Sequence, residues 1–533
     1  MESEEEKNRV RDITDIFSKG ILYHFTSFGI SKVFGIAFTI VLLNYFSAYE
    51  SDLYFTANAF VATISSLAGL GLGVAAVKFL PGMILRKEGS KIKTEILSAT
   101  VLVAAIMVLL FVIGYIVPNY ISEIRLFDFG EFSDVAILTF ALAFVILESS
   151  YISAVLNAFK EFFATSMLNA LVQIVRLIFL FGLIYFGATG AAQMLGGYGV
   201  SYLVATVYLL WVLRKRLSKI AGEARINFIG LTDSIKFGMP VYLSGIIETF
   251  LTHIDVIMIA YFLGDQPGVV SGYTAAVLII RNIAPMIVSP LMTVQQPILV
   301  EEHERKSGAF LKITKEVSRW AFYLGLPVLL VFMAFDVAFM QIIAKDYVEN
   351  AVLIWLFSPL VIFTFFGISA RNALMARGHV KTLFAVSLIM VAINLVANYV
   401  LIQSMGVAGA AIASSISIVV GESMIVWFAN RKFGAVPHMD IAKALFAFAI
   451  ALGVAFVNLP YFGQLPIYAQ EGVLNLVVSM TIVCVVYLAV LFLLKGFVKR
   501  DFETGLRFLE KNKLVWLAQI VKPLCDFAVK YTG

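Results

Sequence analysis

Residues 164–187 read ATSMLNALVQIVRLIFLFGLIYFG, a run of 24 residues in which Arg176 carries the only charge. About 20 predominantly apolar residues in a helix are enough to cross the hydrocarbon core of a bilayer. A charge at the centre of such a helix costs roughly 2.5–3.5 kcal/mol on insertion scales, so it usually faces a protein interior or a water-filled cavity. The run therefore predicts a membrane-spanning helix whose single cation faces away from lipid.

Runs of the same kind recur along the whole chain, which is 60% hydrophobic and 14% charged. Soluble proteins average about 45–50% and about 25%, and a mean hydropathy of +0.92 excludes a soluble multidomain enzyme. We predict an all-α membrane protein with about 14 transmembrane helices. The predicted spans are 20–45, 53–80, 95–117, 134–158, 164–187, 192–213, 238–263, 269–299, 318–343, 351–375, 382–403, 406–429, 441–459 and 473–495.

The basic residues are distributed unevenly between the two sides of these spans. Of the 40 Lys and Arg residues, only Arg125 and Lys345 lie in the odd-numbered connections. Five more lie inside spans, and all the others lie at the termini, in the even-numbered connections or at the span ends beside them. By the positive-inside rule, both termini are predicted to be cytoplasmic and the protein to be a multi-pass protein of the cell membrane.

Two pairs of short segments repeat at nearly the same separation. Gly187-Ala-Thr-Gly-Ala-Ala192 matches Gly406-Val-Ala-Gly-Ala-Ala411 at an offset of 219 residues, and Phe55-Thr-Ala57 matches Tyr273-Thr-Ala275 at an offset of 218. Six spans per repeat is an even number, so the two halves have the same orientation. Parallel repeats related by an axis along the membrane normal occur in secondary transporters, whose substrate site lies at the repeat interface near the midplane.

The repeat and the charge distribution together divide the chain into six segments. They are a cytoplasmic N-terminal segment (1–19), a first six-helix bundle (20–213), a basic cytoplasmic linker (214–237), a second six-helix bundle (238–429), an extra helix pair (441–495) and an amphipathic cytoplasmic tail (496–533). The tail alternates basic and apolar residues, which favours helices lying on the inner leaflet. A soluble C-terminal helix is the alternative interpretation.

Three parts of the sequence carry a recognisable pattern. They are Leu42-Leu-Asn-Tyr-Phe46 with Gly69-Leu-Gly-Leu-Gly-Val-Ala-Ala-Val-Lys-Phe-Leu-Pro81, Gly238-Met-Pro240 with Ile254-Asp255 and Tyr261-Phe-Leu-Gly264, and Asn394-Leu-Val-Ala-Asn398 with Gly406-Val-Ala-Gly-Ala-Ala-Ile-Ala413. The pattern resembles the polysaccharide biosynthesis and export family over roughly residues 20–495. This resemblance implies an O-antigen-type oligosaccharide flippase, in one superfamily with the lipid II flippases and the multidrug and toxin extruders.

The cations inside the spans are the first group of candidate binding residues. Lys32, Arg176 and Arg281 lie at or near the middle of spans 1, 5 and 8, whereas Lys78 and Arg371 lie near cytoplasmic span ends. Arg in particular forms fork-like bonds to phosphate oxygens, so these residues predict a cationic cavity for a phosphate-bearing lipid headgroup. The resemblance agrees, because flippases of this type use a cationic central cavity and Lys78 occupies a basic position of the family pattern.

Simpler explanations for these cations remain open. Each one could be neutralised locally, for example by Glu148 in span 4 or Glu422 in span 12. For Lys78 and Arg371, extension of the side chain to the membrane surface is sufficient as an explanation.

The second group of candidates is acidic and polar. Span 7 carries Glu248, His253 and Asp255, and span 11 carries Asn394 and Asn398, whose i,i+4 spacing places them on one helix face. Ser414 and Ser415 of span 12 fall at a similar predicted depth. Hard cations take oxygen ligands, so Asp255, Asn394 and Asn398 predict a Na⁺ site. The resemblance implies a cation site in this half, as in the lipid II flippases; proton coupling through Glu248 or Asp255, and helix–helix hydrogen bonding, are the alternatives.

Three prolines crowd span 8 and indicate a broken helix. Pro285, Pro290 and Pro297 all fall within 269–299, and proline in a spanning helix removes a backbone hydrogen bond. We expect this span to depart from regular α-helix beside Arg281.

The sequence offers little support for an enzyme. It has no His-Glu-x-x-His or Gly-x-Ser-x-Gly motif, and its two cysteines are too few for a disulfide framework. We predict no catalytic residue, no cofactor and no nucleic-acid partner; the expected partners are a lipid-linked oligosaccharide, membrane lipids and a coupling ion, either Na⁺ or H⁺.

Three functions compete. The leading hypothesis is a flippase that moves lipid-linked oligosaccharide from the inner to the outer leaflet by alternating access. A multidrug or organic-cation antiporter is the alternative, although the deep charges of the first bundle are mainly cationic. A membrane-embedded glycosyltransferase ranks third, because its carboxylates would have to come from a short outer-loop cluster of Glu123, Asp128, Glu131 and Asp134.

Overall fold

The computed structural model describes residues 26–116, 132–304, 309–434, 438–462, 470–499, 501–502 and 522. The predicted N-terminal segment 1–19, most of the outer-loop cluster and nearly all of the amphipathic tail lie outside these residues. Within them the secondary structure is helical. The α-helices are α1 (Thr26–Tyr45), α2 (Ala48–Ala68), α3 (Leu72–Leu85), α4 (Gly89–Ile116), α5 (Phe132–Ala158), α6 (Phe162–Phe186), α7 (Ala191–Leu217), α8 (Thr232–Leu263), α9 (Val269–Val277), α10 (Ser289–Glu304), α11 (Ala309–Ala334), α12 (Asp336–Ile343), α13 (Val352–Ala376), α14 (Val380–Met405), α15 (Val407–Phe433), α16 (His438–Phe462) and α17 (Gln470–Leu493).

The number of spanning helices agrees with the sequence. In the described residues, 13 helices are long and apolar enough to cross a membrane, and the count reaches 14 when the bent pair α2 and α3 is taken as one span. The prediction of an all-α membrane protein with about 14 spans is therefore confirmed.

The bend between α2 and α3 has an identifiable local cause. The two helices meet at 46°, and Gly71 between them has φ +71°, a left-handed conformation that glycine adopts without steric cost. A Cβ on Gly71 would lie 2.5 Å from the carbonyl carbon of Gly238, near the start of α8. Both glycines are therefore needed for the backbone of the bend to approach α8 this closely.

The predicted break in span 8 is also confirmed. α9 ends at Val277 and is followed by a π-helical turn, Leu278–Ile283, and then a 3₁₀ turn, Ala284–Ile287, before α10 begins. Pro285 lies in the 3₁₀ turn, where its ring and its missing N–H disfavour a regular α-helix. Arg281 lies on the π-helical turn, a geometry that is frequent at functional sites.

Two compact units make up the chain. The first contains Met1–Ala275, Ile343–Asn350 and Ser387–Ser414, and the second contains Ala276–Ile342, Ala351–Val386 and Ser415–Gly533. In the first unit α5 packs against α7, α2, α3 and α4, and in the second unit α11 packs against α13 and α16. The division into two six-helix bundles and an extra pair stays a prediction.

Candidate functional site

Arg176 lies in the middle of α6, surrounded by three aromatic rings of the first unit. Its guanidinium carbon lies 3.8 Å from the ring centroid of Phe38, 4.1 Å from that of Tyr198 and 5.5 Å from that of Tyr54. These rings come from α1, α7 and α2. A cation within about 6 Å of a ring centroid is attracted by the negative face of the ring, by about 2 kcal/mol or more when both groups are desolvated. The rings therefore hold the charge of Arg176 without neutralising it.

The hydrogen bonds of Arg176 are few and go to neutral groups. One Nη donates to the hydroxyl of Tyr54, and the other donates to Gln173 Oε1 at 3.4 Å. Its Nε is buried with no hydrogen-bond partner in the described residues. No carboxylate of those residues lies within ion-pair distance of Arg176, and Glu148, which the sequence suggested as a counter-ion, does not pair with it. Arg176 thus retains an uncompensated positive charge and donor capacity for an anion.

The other cations predicted in the first unit have less enclosed surroundings. Lys32 is half-buried on α1, with its Nζ 5.6 Å from the ring centroid of Phe28. Lys78 is exposed on α3, with its Nζ 5.8 Å from the ring centroid of Phe237. A ring beside an exposed ammonium is worth roughly 0.5–1 kcal/mol, so the ring of Phe237 holds Lys78 less firmly than the three rings hold Arg176.

Arg371 has a partner that the sequence had suggested. In the second unit its Nη2 donates to Glu422 Oε1 at 2.5 Å, between α13 and α15. Glu422 is 5% exposed, and it fits only because Gly367 has no side chain: a Cβ there would lie 1.5 Å from Glu422 Oε2. The charge of Arg371 is therefore neutralised within the fold. Arg281, the remaining predicted cation, is half-buried in the same unit.

Asp255 is fully buried on α8 and is surrounded by hydrogen-bond donors from three other helices. Its Oδ1 accepts from Asn398 Nδ2 at 2.7 Å and from Asn394 Nδ2 at 3.1 Å, both on α14. Its Oδ2 accepts from the Tyr273 hydroxyl of α9 at 2.7 Å and from the hydroxyl of Ser414 on α15. The structure thus brings together the three residues predicted for Na⁺.

These side chains have the chemistry of a cation site. They provide one carboxylate, two amide oxygens and two hydroxyl oxygens, and hard cations bind oxygen ligands. Oδ1 of Asn398 is buried with no hydrogen-bond partner in the described residues, so one acceptor is already available. Rotation of the Asn394 and Asn398 amides would exchange their donor and acceptor atoms and turn further oxygens toward Asp255. The single negative charge suits a monovalent ion.

The remaining polar candidates have different surroundings. Glu248 is exposed on α8, two turns before Asp255. Ser415 donates to the backbone oxygen of Leu356 at 2.6 Å within the second unit. His253 is half-buried on α8. In the described residues there is no group of three or more His, Cys, Asp or Glu side chains arranged to hold a metal ion.

Two features of the first unit escaped the sequence reasoning. Tyr273 was noted only as part of a repeat, although its hydroxyl completes the Asp255 cluster. Asp52, buried near the start of α2, accepts hydrogen bonds from the backbone N–H groups of Gly268 and Ser271 at the start of α9. The sequence signals available were an Asp at the start of α2 and a glycine just before α9. Neither signal indicates that the two residues meet.

Comparison with known proteins identifies the family. The family model described as polysaccharide biosynthesis protein matches residues 17–303, which is more than half of the chain. The chain belongs to this polysaccharide biosynthesis protein family. The resemblance seen in the sequence is thereby confirmed. An uncharacterized membrane protein of Methanocaldococcus jannaschii is 22% identical over 501 residues, which cover 89% of this chain and 94% of that protein.

Solved structures with the same fold are transporters. The lipid II flippase MurJ, in an inward closed conformation, matches with a TM-score of 0.71 at 16% identity, over 88% of this chain and 98% of that chain. An inward-facing multidrug resistance MATE family transporter of the MOP superfamily matches with a TM-score of 0.62 at 13% identity, over 76% and 95%. At these identities the likeness establishes the fold alone.

Proposed function

We propose that this member of the polysaccharide biosynthesis protein family is a flippase for lipid-linked oligosaccharide. Its substrate would be a glycan on a polyprenyl or dolichyl phosphate or diphosphate, moved from the inner to the outer leaflet by alternating access. Family membership and the fold similarity to a lipid II flippase support this proposal. The likeness to MATE family transporters supports an organic-cation antiporter only through the shared fold.

The observation that carries the proposal is the environment of Arg176. Burying a charge without a counter-ion is costly, so such a charge is usually paired. Arg176 instead has aromatic faces and a buried Nε with no partner in the described residues. Guanidinium N–H groups form strong, charge-assisted bonds to phosphate oxygens. An anionic headgroup beside α6 would provide the compensating charge, whereas an organic cation would be repelled.

The other predicted cations differ in how well their surroundings suit contact with the headgroup. Arg281 lies on an irregular turn and is half-buried, and Lys32 is half-buried on α1, so both remain candidates for headgroup contacts. Arg371 is neutralised by Glu422, so binding substrate would require that ion pair to open. Lys78 is exposed near a span end, where it suits an early electrostatic contact rather than tight binding.

We further propose that the Asp255 cluster binds the coupling ion, with Na⁺ as the first choice. Asp255, Asn394 and Asn398 would provide the ligands, and Tyr273 and Ser414 would hold the carboxylate in place. Proton coupling at Asp255 is the alternative use of the same residue. Glu248, which is exposed, is the weaker candidate for that role.

Mass spectrometry of lipids that co-purify with the full-length protein tests the proposed substrate. We expect wild type to retain a polyprenyl- or dolichyl-phosphate glycan and Arg176→Gln to lose it. Arg431→Gln is the matched control, because Arg431 lies at an exposed helix end over Trp427. A size-exclusion profile confirms folding of each variant.

Two results would contradict the proposal. Equal glycolipid retention by Arg176→Gln and wild type would remove Arg176 from the site. The absence of any glycolipid from wild type, together with tight binding of organic cations, would favour the antiporter.

A further inference from the structure

A second group of cations lies in the second unit. Arg377 follows the end of α13, His379 immediately precedes α14, and Lys432 lies in the last turn of α15. Lys432 Nζ lies 3.3 Å from His379 Nδ1 and 3.4 Å from Nε2. Three helix ends thus bring these cationic or protonatable groups together.

Two phenylalanine rings fix the positions of Arg377 and His379. The guanidinium carbon of Arg377 lies 4.4 Å from the ring centroid of Phe310 and 4.2 Å from that of Phe433. The ring of His379 stacks on Phe433, with centroids 5.9 Å apart and an interplanar angle of 24°. Phe310 is almost fully buried, so Arg377 is attached to the core. Arg377 and His379 are therefore positioned by packing, and the exposed Lys432 lies beside the His379 ring.

In the described ranges, no carboxylate lies within ion-pair distance of Arg377, His379 or Lys432. The Nε of Arg377 is buried without a hydrogen-bond partner among the same residues. Like charges in close contact repel each other, and a bound anion removes that repulsion. The arrangement therefore suits an anionic ligand with several acceptor oxygens.

The surroundings of the cluster are those of a membrane interface. Met375 and Val380, which flank it in sequence, are 38% and 51% exposed although both are apolar. Trp427, which is 52% exposed, lies one and a half turns before Lys432 on α15. Exposed Trp residues are enriched at headgroup level. Acyl chains can therefore contact apolar side chains while a phosphate reaches the cations.

We propose that Arg377, His379 and Lys432 bind the phosphate group of an anionic phospholipid of the inner leaflet. The predicted cytoplasmic location of these helix ends, which follows from the positive-inside distribution, selects that leaflet. The site lies outside the residues assigned to the transported substrate and to the coupling ion. It would anchor the ends of α13, α14 and α15 to the membrane surface.

The test is a lipid titration of the full-length protein by native mass spectrometry. The probes are phosphatidylglycerol and phosphatidylcholine with the same acyl chains, compared for wild type, Arg377→Gln and Lys432→Gln. Arg431→Gln is the control, because it removes a neighbouring charge of the same helix end that stacks on Trp427 instead. Binding of phosphatidylcholine and the size-exclusion profile report on folding.

We expect wild type to bind phosphatidylglycerol more tightly than phosphatidylcholine. Each cluster variant should bind phosphatidylglycerol about fivefold more weakly than wild type, because one basic residue near an anionic surface contributes about 1 kcal/mol. Arg431→Gln should change the affinity for phosphatidylglycerol less than twofold. Equal effects of all three substitutions would mean that the cluster is an ordinary basic flank, and would overturn the proposal.

Two further binding experiments identify the source of the phosphate group. Inorganic phosphate that displaces phosphatidylglycerol at low millimolar concentration would indicate a soluble-anion site. Farnesyl diphosphate that binds this cluster more tightly than phosphatidylglycerol would assign it to a substrate headgroup. Either result would overturn the assignment to a phospholipid.

Discussion

Asp52 accepts hydrogen bonds from both the backbone N–H and the hydroxyl of Ser271, at 2.7 and 2.5 Å. The backbone N–H of Gly268 donates to the same carboxylate at 2.6 Å. The first N–H groups of a helix lack partners within that helix, and a carboxylate there also interacts favourably with the helix dipole. Asp52, from α2, therefore caps α9 as an N-cap residue would, although it is more than 200 residues away in sequence.

Replacement of Asp52 should loosen the start of α9. Asp52→Ala leaves buried N–H groups without an acceptor, and loss of a helix cap costs about 0.5–2 kcal/mol. We expect amide hydrogen exchange in 268–277 to accelerate roughly 2- to 30-fold, as that loss of free energy implies, with little change in α16 or α17. Asp265→Ala, which removes an exposed carboxylate a few residues before α9, should leave exchange unchanged. Equal protection in both variants would show that the cap is dispensable.

Substitution of Arg176 by lysine should weaken headgroup binding even though the charge is retained. Lysine cannot present the planar fork of N–H donors or stack on Phe38 and Tyr198 as a guanidinium does. Hydrogen bonds to charged groups contribute about 1.5–3 kcal/mol, so we expect Arg176→Lys to bind a polyprenyl diphosphate probe roughly 10- to 100-fold more weakly. Arg431→Lys serves as the control. An unchanged affinity would reduce Arg176 to a non-specific positive charge.

Sodium should stabilise the protein through Asp255. A ligand that binds only the folded state at 100 times its Kd adds about 2.7 kcal/mol. We expect the Tm of wild type to rise with NaCl relative to KCl at the same ionic strength, and Asp255→Asn to abolish the difference. Glu248→Gln removes an exposed carboxylate from the same helix and should behave like wild type. A Tm that follows pH but not Na⁺ would favour proton binding instead.

Substitution of Gly367 tests whether Glu422 needs the space beside this glycine to pair with Arg371. Gly367→Ala places a methyl group where Glu422 Oε2 now lies, so the carboxylate must move away from Arg371. Breaking a fully buried ion pair costs about 3–5 kcal/mol, and we expect a smaller cost here because the Arg371 side chain is 30% exposed. We expect a fall in Tm for this variant. Gly453→Ala, where a Cβ meets no atom within 4 Å, should be neutral or slightly stabilising because alanine favours a helix.

The sequence predicted those parts of the molecule that depend on one helix at a time. Apolar length gave the spans, proline spacing gave the break near Arg281, and i,i+4 spacing placed Asn394 and Asn398 on one face. These properties are local, so no partner helix is needed to infer them.

Properties that depend on partner helices were not predictable in the same way. The rings around Arg176 come from three other helices, and a chain with 46 Phe and 21 Tyr gives no signal for which aromatic residues meet. Tyr273 likewise reaches Asp255 only because α9 packs beside α8. Glu422 was named as a possible counter-ion, but its pairing with Arg371 depends on the space left by Gly367.

Binding of anionic lipid should strengthen as the pH falls. Burial, followed by the positive charges of Lys432 and Arg377, lowers the pKa of His379 below its usual value, so the ring is neutral at pH 7. A phosphate beside it favours the protonated form, and protonation therefore accompanies binding. We expect phosphatidylglycerol affinity to rise by up to about fivefold, the effect of one added charge, between pH 7.5 and 5.5, and His379→Asn to abolish this rise.

When no anionic lipid is bound, His379 should make the folded protein less stable as the pH falls. The unfolded chain, in which the pKa of His379 is near its ordinary value of about 6.5, takes up the proton at higher pH than the folded protein does. Its contribution therefore lowers the free energy of unfolding as the pH falls below about 6.5. Thermal unfolding in phosphatidylcholine nanodiscs, compared between wild type and His379→Asn, measures this contribution. A steeper pH dependence in His379→Asn than in wild type would contradict the assignment, because removing a group with a lowered pKa can only flatten the profile.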